Sequence, residues 1–91
     1  ALGWLAMKLT ILYFASLREA LGLDREVVEI PSQVKTVGDL RDWLRARGGV
    51  WESALAQGRS VRAAVAQRMA APDTELTPDA EVAFFPPVTG G

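Results

Sequence analysis

The sequence predicts an α+β fold in which a mixed β-sheet wraps around one principal helix and leads into an extended C-terminal tail. Short segments rich in Ile, Leu, Val and Phe have the length of strands, and one longer segment has helical spacing. No long crossover follows the first strand, so the first two strands should pair as a hairpin-like unit. With 91 residues, of which 49% are hydrophobic, the chain can build one core but not a second domain.

The first strand is predicted over residues 8–14 (KLTILYF). Apolar side chains occupy both alternating sets of positions in this segment, which is typical of a strand in the middle of a sheet. Residues 16–21 (SLREAL) then predict a short helix, and Gly22 supplies a C-terminal stop.

The second strand is predicted over residues 25–30 (REVVEI). Its side chains alternate, with Val28 and Ile30 facing one way and Arg25 and Glu29 facing the other. This pattern indicates a strand with one face on the core and one face in solvent.

The principal helix is predicted to begin after Thr36, whose side chain can cap free backbone N–H groups. Asp39 lies three residues further on, where a carboxylate can complete a capping box and meets the positive end of the helix dipole. Val37, Leu40 and Leu44 follow helical spacing and predict the buried face.

Arginines cluster along this helix at Arg41, Arg45 and Arg47, and we expect them to cover its outer face. The glycine pair at 48–49 is expected to end the helix. The remaining predicted elements are a helical turn over 51–57, strands over 61–65, 67–71 and 81–85, and a type I turn over 77–80.

The composition excludes several kinds of site. The chain contains no Cys and no His, so it has no disulfide, no thiol nucleophile, no thiolate metal site and no imidazole base. A net charge of −1 argues against a nucleic-acid binder, and the apolar runs are too short to span a membrane. We therefore expect a cytoplasmic protein with no metal site and no tightly bound cofactor.

The C-terminal residues 86–91 (PPVTGG) predict a flexible tail that leaves the domain of residues 7–85. We interpret residues 1–6 as an N-terminal extension or a remnant added for expression. Two prolines cannot continue a sheet ladder, and six extended residues reach roughly 20 Å. Gly90 and Gly91 have no Cβ, so their backbone can pass through a narrow channel.

The chemical group at the end of this tail is the carboxylate of Gly91. Adenylation by ATP would turn this poor electrophile into a reactive acyl-adenylate, and attack by sulfur would then leave a nucleophilic thiocarboxylate. A terminal Gly-Gly pair alone is also typical of a frayed end. The apolar run over residues 84–88 favours a docking role instead. Phe84 and Phe85 must face opposite sides of a strand, so one belongs to the core and the other is available to a partner.

The ending over residues 79–91 (DAEVAFFPPVTGG) closely resembles the small, sulfur-carrying subunits of molybdopterin synthase, the MoaD family. The resemblance extends over residues 7–91 and includes the following segments: Leu12 to Ala15, Arg18-Glu19, Leu40-Arg41, Trp51 to Gly58 and Ala63 to Val65. Two turns differ from the family's usual pattern. Ala66 stands where Asn is common before Gln67. The turn before the last strand, often Asp-Gly-Asp in the family, is here residues 78–81 (PDAE).

The resemblance implies a ubiquitin-like β-grasp fold and a defined reaction cycle. An adenylating enzyme of the ubiquitin-activating type would activate Gly91 with ATP, and a sulfurtransferase would supply the sulfur. The tail would then enter the large subunit of molybdopterin synthase and donate sulfur to cyclic pyranopterin monophosphate, within a heterotetramer. The residues expected to thread the tail into its partner are Val88, Thr89 and Gly90, and those expected to dock are Phe84, Phe85, Pro86, Pro87 and Arg18.

Three alternatives stay open at this level. A solvated helix charge is the simpler interpretation of Arg18. The chain could instead carry sulfur for thiamine synthesis or tRNA thiolation, although the run of residues 84–87 (FFPP) argues against that assignment. It could also be a ubiquitin-like modifier or binding module.

Overall fold

The computed structural model describes residues 7–87, so residues 1–6 and the tail residues 88–91 lie outside the described part. The predicted α+β class is confirmed. The elements are strands β1 (Met7–Tyr13), β2 (Arg25–Ile30), β3 (Arg62–Val65), β4 (Arg68–Ala70) and β5 (Glu81–Phe85), and helices α1 (Ala15–Leu21), α2 (Val37–Arg45) and α3 (Val50–Ala54).

The strands form one mixed sheet in the order β2-β1-β5-β3-β4. Strand β1 pairs antiparallel with β2 and parallel with β5, while β3 pairs antiparallel with both β5 and β4. The predicted pairing of the first two strands and the interior position of the first are therefore confirmed. Strand β5, which leads to the C-terminus, also lies in the interior of the sheet.

One face of the sheet packs against the helices. The β1 side chains Leu9, Ile11 and Tyr13 are buried on that face. The opposite face, called here the open face, carries the intervening side chains of every strand. On β2, the predicted alternation is confirmed, since Ile30 is buried while Arg25 and Glu29 are exposed.

Helix α2 begins at the predicted capping box. The Thr36 hydroxyl accepts a hydrogen bond from the Asp39 N–H at 3.1 Å, and the Asp39 carboxylate accepts from the N–H groups of Lys35 and Thr36 at 3.1 and 3.2 Å. The backbone N–H of Lys35, followed by that of Thr36, holds the pKa of Asp39 below its usual value. Val37, Leu40 and Leu44 are buried as predicted.

The arginines of this region do not all cover the outer face, and that prediction is wrong for Arg41 and Arg47. The Arg41 guanidinium donates to the carbonyl oxygens of Leu55 at 2.8 Å and Arg59 at 3.0 Å, and also to that of Ala56. It thereby ties α2 to the segment that follows α3. Arg47 lies in the loop after α2 and binds a carboxylate of β2.

Two turns adopt conformations that the sequence did not predict. Asp79 has φ of +64° between Thr77 and Ala80, where a type I turn requires a negative φ. The turn is therefore of the type II kind, and the type I prediction is wrong. In the β3–β4 hairpin, Ala66 and Gln67 both have positive φ, +51° and +68°, as a two-residue type I′ turn requires.

The β3–β4 turn predicts a stabilising double substitution, Ala66→Asn with Gln67→Gly. Asn-Gly is the favoured pair of a type I′ turn, whereas a residue with a Cβ costs roughly 1–2 kcal/mol in the left-handed region. We expect the free energy of unfolding to rise by about 1–2 kcal/mol in urea denaturation. Ala20→Gly, in helix α1, is the matched control and should lower stability. An unchanged or lower midpoint for the double variant would contradict the turn assignment.

Candidate functional site

The two phenylalanines that end β5 face opposite sides of the sheet. Phe84 is 1% exposed, and its ring stacks on that of Tyr13 with centroids 6.4 Å apart and planes 16° apart. Phe85 is half-buried and belongs to the alternating set on the open face. Phe84 is therefore the core residue, so its place among the predicted docking residues is wrong, because a buried ring cannot reach a partner. Phe85 is the one on the open face.

A polar cluster supports the core beneath the end of β5. The Tyr13 hydroxyl donates to the Glu26 carboxylate at 2.7 Å, and Arg47 donates to both oxygens of that carboxylate at 2.9 and 3.1 Å. Arg47 also lies 4.3 Å from the ring centroid of Trp51. Burial, and then the Glu26 hydrogen bond, raise the pKa of Tyr13 far above its usual value, so the phenol stays neutral. The cluster joins β1, β2 and α3 under the point where the tail begins.

The root of the tail is held between β1 and β3. The Phe14 N–H donates to the Phe84 carbonyl at 3.1 Å, immediately before α1 begins. Phe14 is 44% exposed, and Arg18 follows one helical turn later, also exposed. The two side chains thus lie on the segment that adjoins the end of β5.

A shallow groove lies beside the root of the tail. It has a volume of about 260 Å³ and is lined by Arg62, Met69, Phe85 and Pro87. Pro86 and Pro87 are half-buried, which shows that the chain still contacts the domain at these positions. The predicted docking residues Phe85 and Pro87 are brought together here.

An apolar row crosses the open face next to this groove. The register pairs Leu12 with Ala83, Ala83 with Ala64, and Ala64 with Met69. Met69 is 64% exposed. We call this set, together with Phe85, the open-face patch: Leu12, Ala64, Met69, Ala83 and Phe85. A contiguous apolar patch on a protein surface is typical of a protein-binding site.

Phe14 and Met69, both exposed near the root of the tail or on the open face, were not among the predicted docking residues. For Phe14 a signal existed, because strict alternation after Ile11 and Tyr13 would have turned it away from the core. For Met69 no local signal was available. Its exposure follows from the register of β4 on β3, and a strand of three residues does not reveal that register.

The described residues offer a surface and an anchored strand rather than a set of catalytic side chains. The chain has no His or Cys, and within residues 7–87 no three acidic side chains are grouped so as to hold a metal. Residues 7–87 contain no helix with the length and hydropathy of a membrane span. The predicted reactive and threading residues, Gly91, Gly90, Thr89 and Val88, lie outside the described residues, and their roles stay predictions.

The sheet is mixed, packs against a principal helix on one face and has its final strand in its interior. A Gly-Gly sequence follows that strand. Together these features define a ubiquitin-like β-grasp protein. The ThiS family matches residues 11–91, and the chain belongs to that family.

Individual relatives agree with this assignment. The chain is 43% identical over 81 residues to the molybdopterin synthase sulfur carrier subunit of Escherichia coli (strain K12). This match covers 89% of this chain and 96% of that protein. It is 34% identical over 83 residues to the Haemophilus influenzae protein of the same name, covering 91% of this chain and 99% of that protein. Among solved structures, SAMP1 from Haloferax volcanii superposes with a TM-score of 0.74 at 28% identity, covering 92% and 99% of the two chains.

Proposed function

We propose that this chain is the sulfur carrier subunit of molybdopterin synthase in molybdenum cofactor biosynthesis. The observation that carries the proposal is the full-length similarity to two proteins of that name, one of them 43% identical. The open-face patch and the interior position of β5 support it, because they suit a protein that docks by its sheet and presents its C-terminus.

The proposed chemistry takes place on the carboxyl group of Gly91. A partner enzyme transfers AMP from ATP to this carboxylate, and pyrophosphate leaves. A sulfurtransferase then supplies sulfur at the oxidation level of sulfide, so a carbon–sulfur bond forms and AMP leaves with its oxygen. The product is a thiocarboxylate, whose sulfur is the nucleophile that forms a bond to cyclic pyranopterin monophosphate. Water then cleaves the bond between this sulfur and the Gly91 carbonyl carbon, which leaves the sulfur on the pterin and returns the carboxylate. ATP belongs to the adenylating partner, and the carrier itself needs no tightly bound cofactor.

The proposed role of the fold is to deliver this group into another protein's active site. Strand β5 is held on both sides by β1 and β3, so the tail starts from a rigid position. From there, residues 86–91 can reach roughly 20 Å when extended. Val88, Thr89 and Gly90 would thread the channel, while the domain stays on the partner's surface.

The proposed docking surface for the large subunit is the open-face patch with Pro86 and Pro87. Phe85 and Met69 supply the largest apolar side chains of that surface. Arg18, exposed on the segment beside the end of β5, would contribute a charge at the rim. Two carriers flanking a dimer of large subunits would form the heterotetramer.

The similarity to SAMP1 favours a second candidate function. Related structures carry the name small archaeal modifier protein 1, so a ubiquitin-like modifier is the alternative use of the same fold. In that case the Gly91 carboxyl would form an isopeptide bond with a lysine of a target protein. Isopeptide-linked targets in cells would support this second candidate.

The test is to offer the thiocarboxylated chain to acceptors of different pathways. We expect conversion of cyclic pyranopterin monophosphate when the molybdopterin synthase large subunit is present, and little thiazole formation or tRNA thiolation with the acceptors of those pathways. The same chain carrying an ordinary carboxylate is the matched control and should support none of these reactions. Efficient sulfur transfer to thiazole or tRNA, with none to the pterin, would contradict the proposal.

A further inference from the structure

Among residues 7–87, strand β2 forms a free edge of the sheet along its whole length. The order of strands places β2 at one end, and within residues 7–87 its only ladder is the one with β1. Its open-face side chains Arg25, Val27 and Glu29 are all exposed, Val27 by 62%. An edge strand of this kind is a template for another strand unless charges or prolines block it.

The backbone of β2 shows which groups are free to pair. The Tyr13 N–H donates to the Asp24 carbonyl at 2.9 Å, so Asp24 directs its hydrogen-bonding groups toward β1. Because these directions alternate along an antiparallel strand, Arg25, Val27 and Glu29 direct their N–H and C=O groups away from β1. The same three residues therefore supply both the free backbone groups and the exposed side chains.

The side chains of these three residues on one copy of β2 are complementary to the same side chains on a second, antiparallel copy. When two copies of β2 meet antiparallel about a two-fold axis at Val27, Val27 lies opposite its own copy, and Arg25 lies opposite Glu29 on both sides of it. This register joins the free groups in about six backbone hydrogen bonds. It also forms two cross-strand pairs of opposite charge, which favour pairing.

Other symmetric registers lose these features. A shift that centres the pair on Arg25 or on Glu29 places like charges opposite each other, which is unfavourable. A shift toward the C-terminal end of β2 brings Arg25 opposite Pro31, which has no N–H to donate. A shift toward the N-terminal end of β2 places Glu29 opposite Leu23, so the pairs of Arg25 with Glu29 are lost. Among described residues, neither Arg25 nor Glu29 forms an ion pair within one chain that would compete.

We propose that the free carrier self-associates as a symmetric dimer in which two β2 edges pair antiparallel about Val27 and join the two sheets. The inference is independent of the proposed sulfur chemistry. The dimer leaves β5 and the open-face patch uncovered, because only the two β2 edges meet and every residue of the patch lies on another strand. With strands roughly 4.8 Å apart, the two β5 strands lie roughly 24 Å from each other and run in opposite directions. Each tail therefore stays accessible to its own partner.

The dimer should be weak and reversible. One strand pair is a smaller contact than the roughly 1,600 Å² of a standard protein interface. Sedimentation velocity over a concentration series reaching about 1 mM should show the weight-average mass rise from monomer toward dimer. A constant monomer mass over that range would overturn the proposal.

Charge reversal at the two ends of the strand identifies the register. Both R25E and E29R convert two attractive cross-strand pairs into repulsive ones, so each should weaken dimerisation by roughly tenfold or more. An equimolar mixture of the two variants should form a heterodimer, since each substituted side chain then meets an opposite charge. The double variant R25E/E29R should dimerise like the unmodified chain.

Circular dichroism serves as the control for folding. Both sites are exposed, so the variants should stay folded and R25E should melt like the unmodified protein. E29R should melt slightly lower, because the new cation lies opposite Lys8 of β1. R62E, on the opposite half of the sheet, is the matched control and should leave the dimer unaffected. Dimerisation that survives either single reversal, or a mixture that fails to associate, would overturn the β2 register.

Discussion

Deletion of Gly91 is expected to abolish sulfur transfer while leaving the fold and the binding of the large subunit nearly unchanged. A tail shortened by one residue ends about 3.3–3.6 Å short of the reacting position. Misplacement of reacting groups by about 1 Å can already cost a reaction about a hundredfold. The buried core described by the structure extends from Leu9 to Phe84, so the deletion removes no core side chain.

Three measurements separate these effects. Circular dichroism melting reports the fold, complex formation with the large subunit reports docking, and conversion of cyclic pyranopterin monophosphate reports sulfur transfer. Asp73→Asn, in an exposed turn outside the tail and the open-face patch, keeps the length and the Gly-Gly end, so this control should convert the pterin at a similar rate. A chain with one residue added after Gly91 should fail as the deletion does. Retained conversion without Gly91 would contradict its role as the reactive residue.

Phe84→Ala is expected to lower the free energy of unfolding by about 3–5 kcal/mol, as large-to-small changes of buried aromatic residues do. Phe84 is 1% exposed and stacks on Tyr13, so truncation leaves a cavity beneath the root of the tail. Domains of this size are stable by only about 5–15 kcal/mol in total. Urea denaturation of the purified variant measures the loss.

Phe85→Ala is the matched control, because it changes the neighbouring residue on the opposite face of the same strand. This side chain is half-buried on the open face, so its removal should cost far less stability. It should weaken binding to the large subunit instead, as measured by titration calorimetry with the intact tail. Equal destabilisation by both substitutions, with binding unaffected, would contradict the division of roles between the two rings.

Much of this fold could be predicted because its signals are local. The alternation of residues 25–30 defines β2 with the correct bounds, and Thr36 with Asp39 defines the start of α2 through a capping box of four consecutive residues. Alternation also required Phe84 and Phe85 to face opposite sides, although it could not say which ring faces the core. Which ring faces the core depends on the side of the sheet against which the helices pack, and that side is set by the whole fold.

The features that could not be predicted depend on contacts distant in sequence. Arg41 looked like a surface residue of an amphipathic helix, but it reaches carbonyl groups that lie 14 to 18 residues further along the chain. Arg47 similarly finds Glu26, which is 21 residues away. The positive φ of Asp79 was missed because Pro78 fits both type I and type II turns, and only the third turn residue distinguishes them.

In the proposed reaction cycle, the carboxyl group of Gly91 becomes the sulfur-bearing group. The most direct test of this step is the intact mass of the chain after incubation with its cognate adenylating enzyme, ATP and a sulfur source, followed by fragmentation. We expect the mass change of one sulfur replacing one oxygen, located at Gly91 and absent when ATP is withheld. An unchanged mass, under conditions that load a related carrier, would contradict the proposed role of the Gly91 carboxyl group.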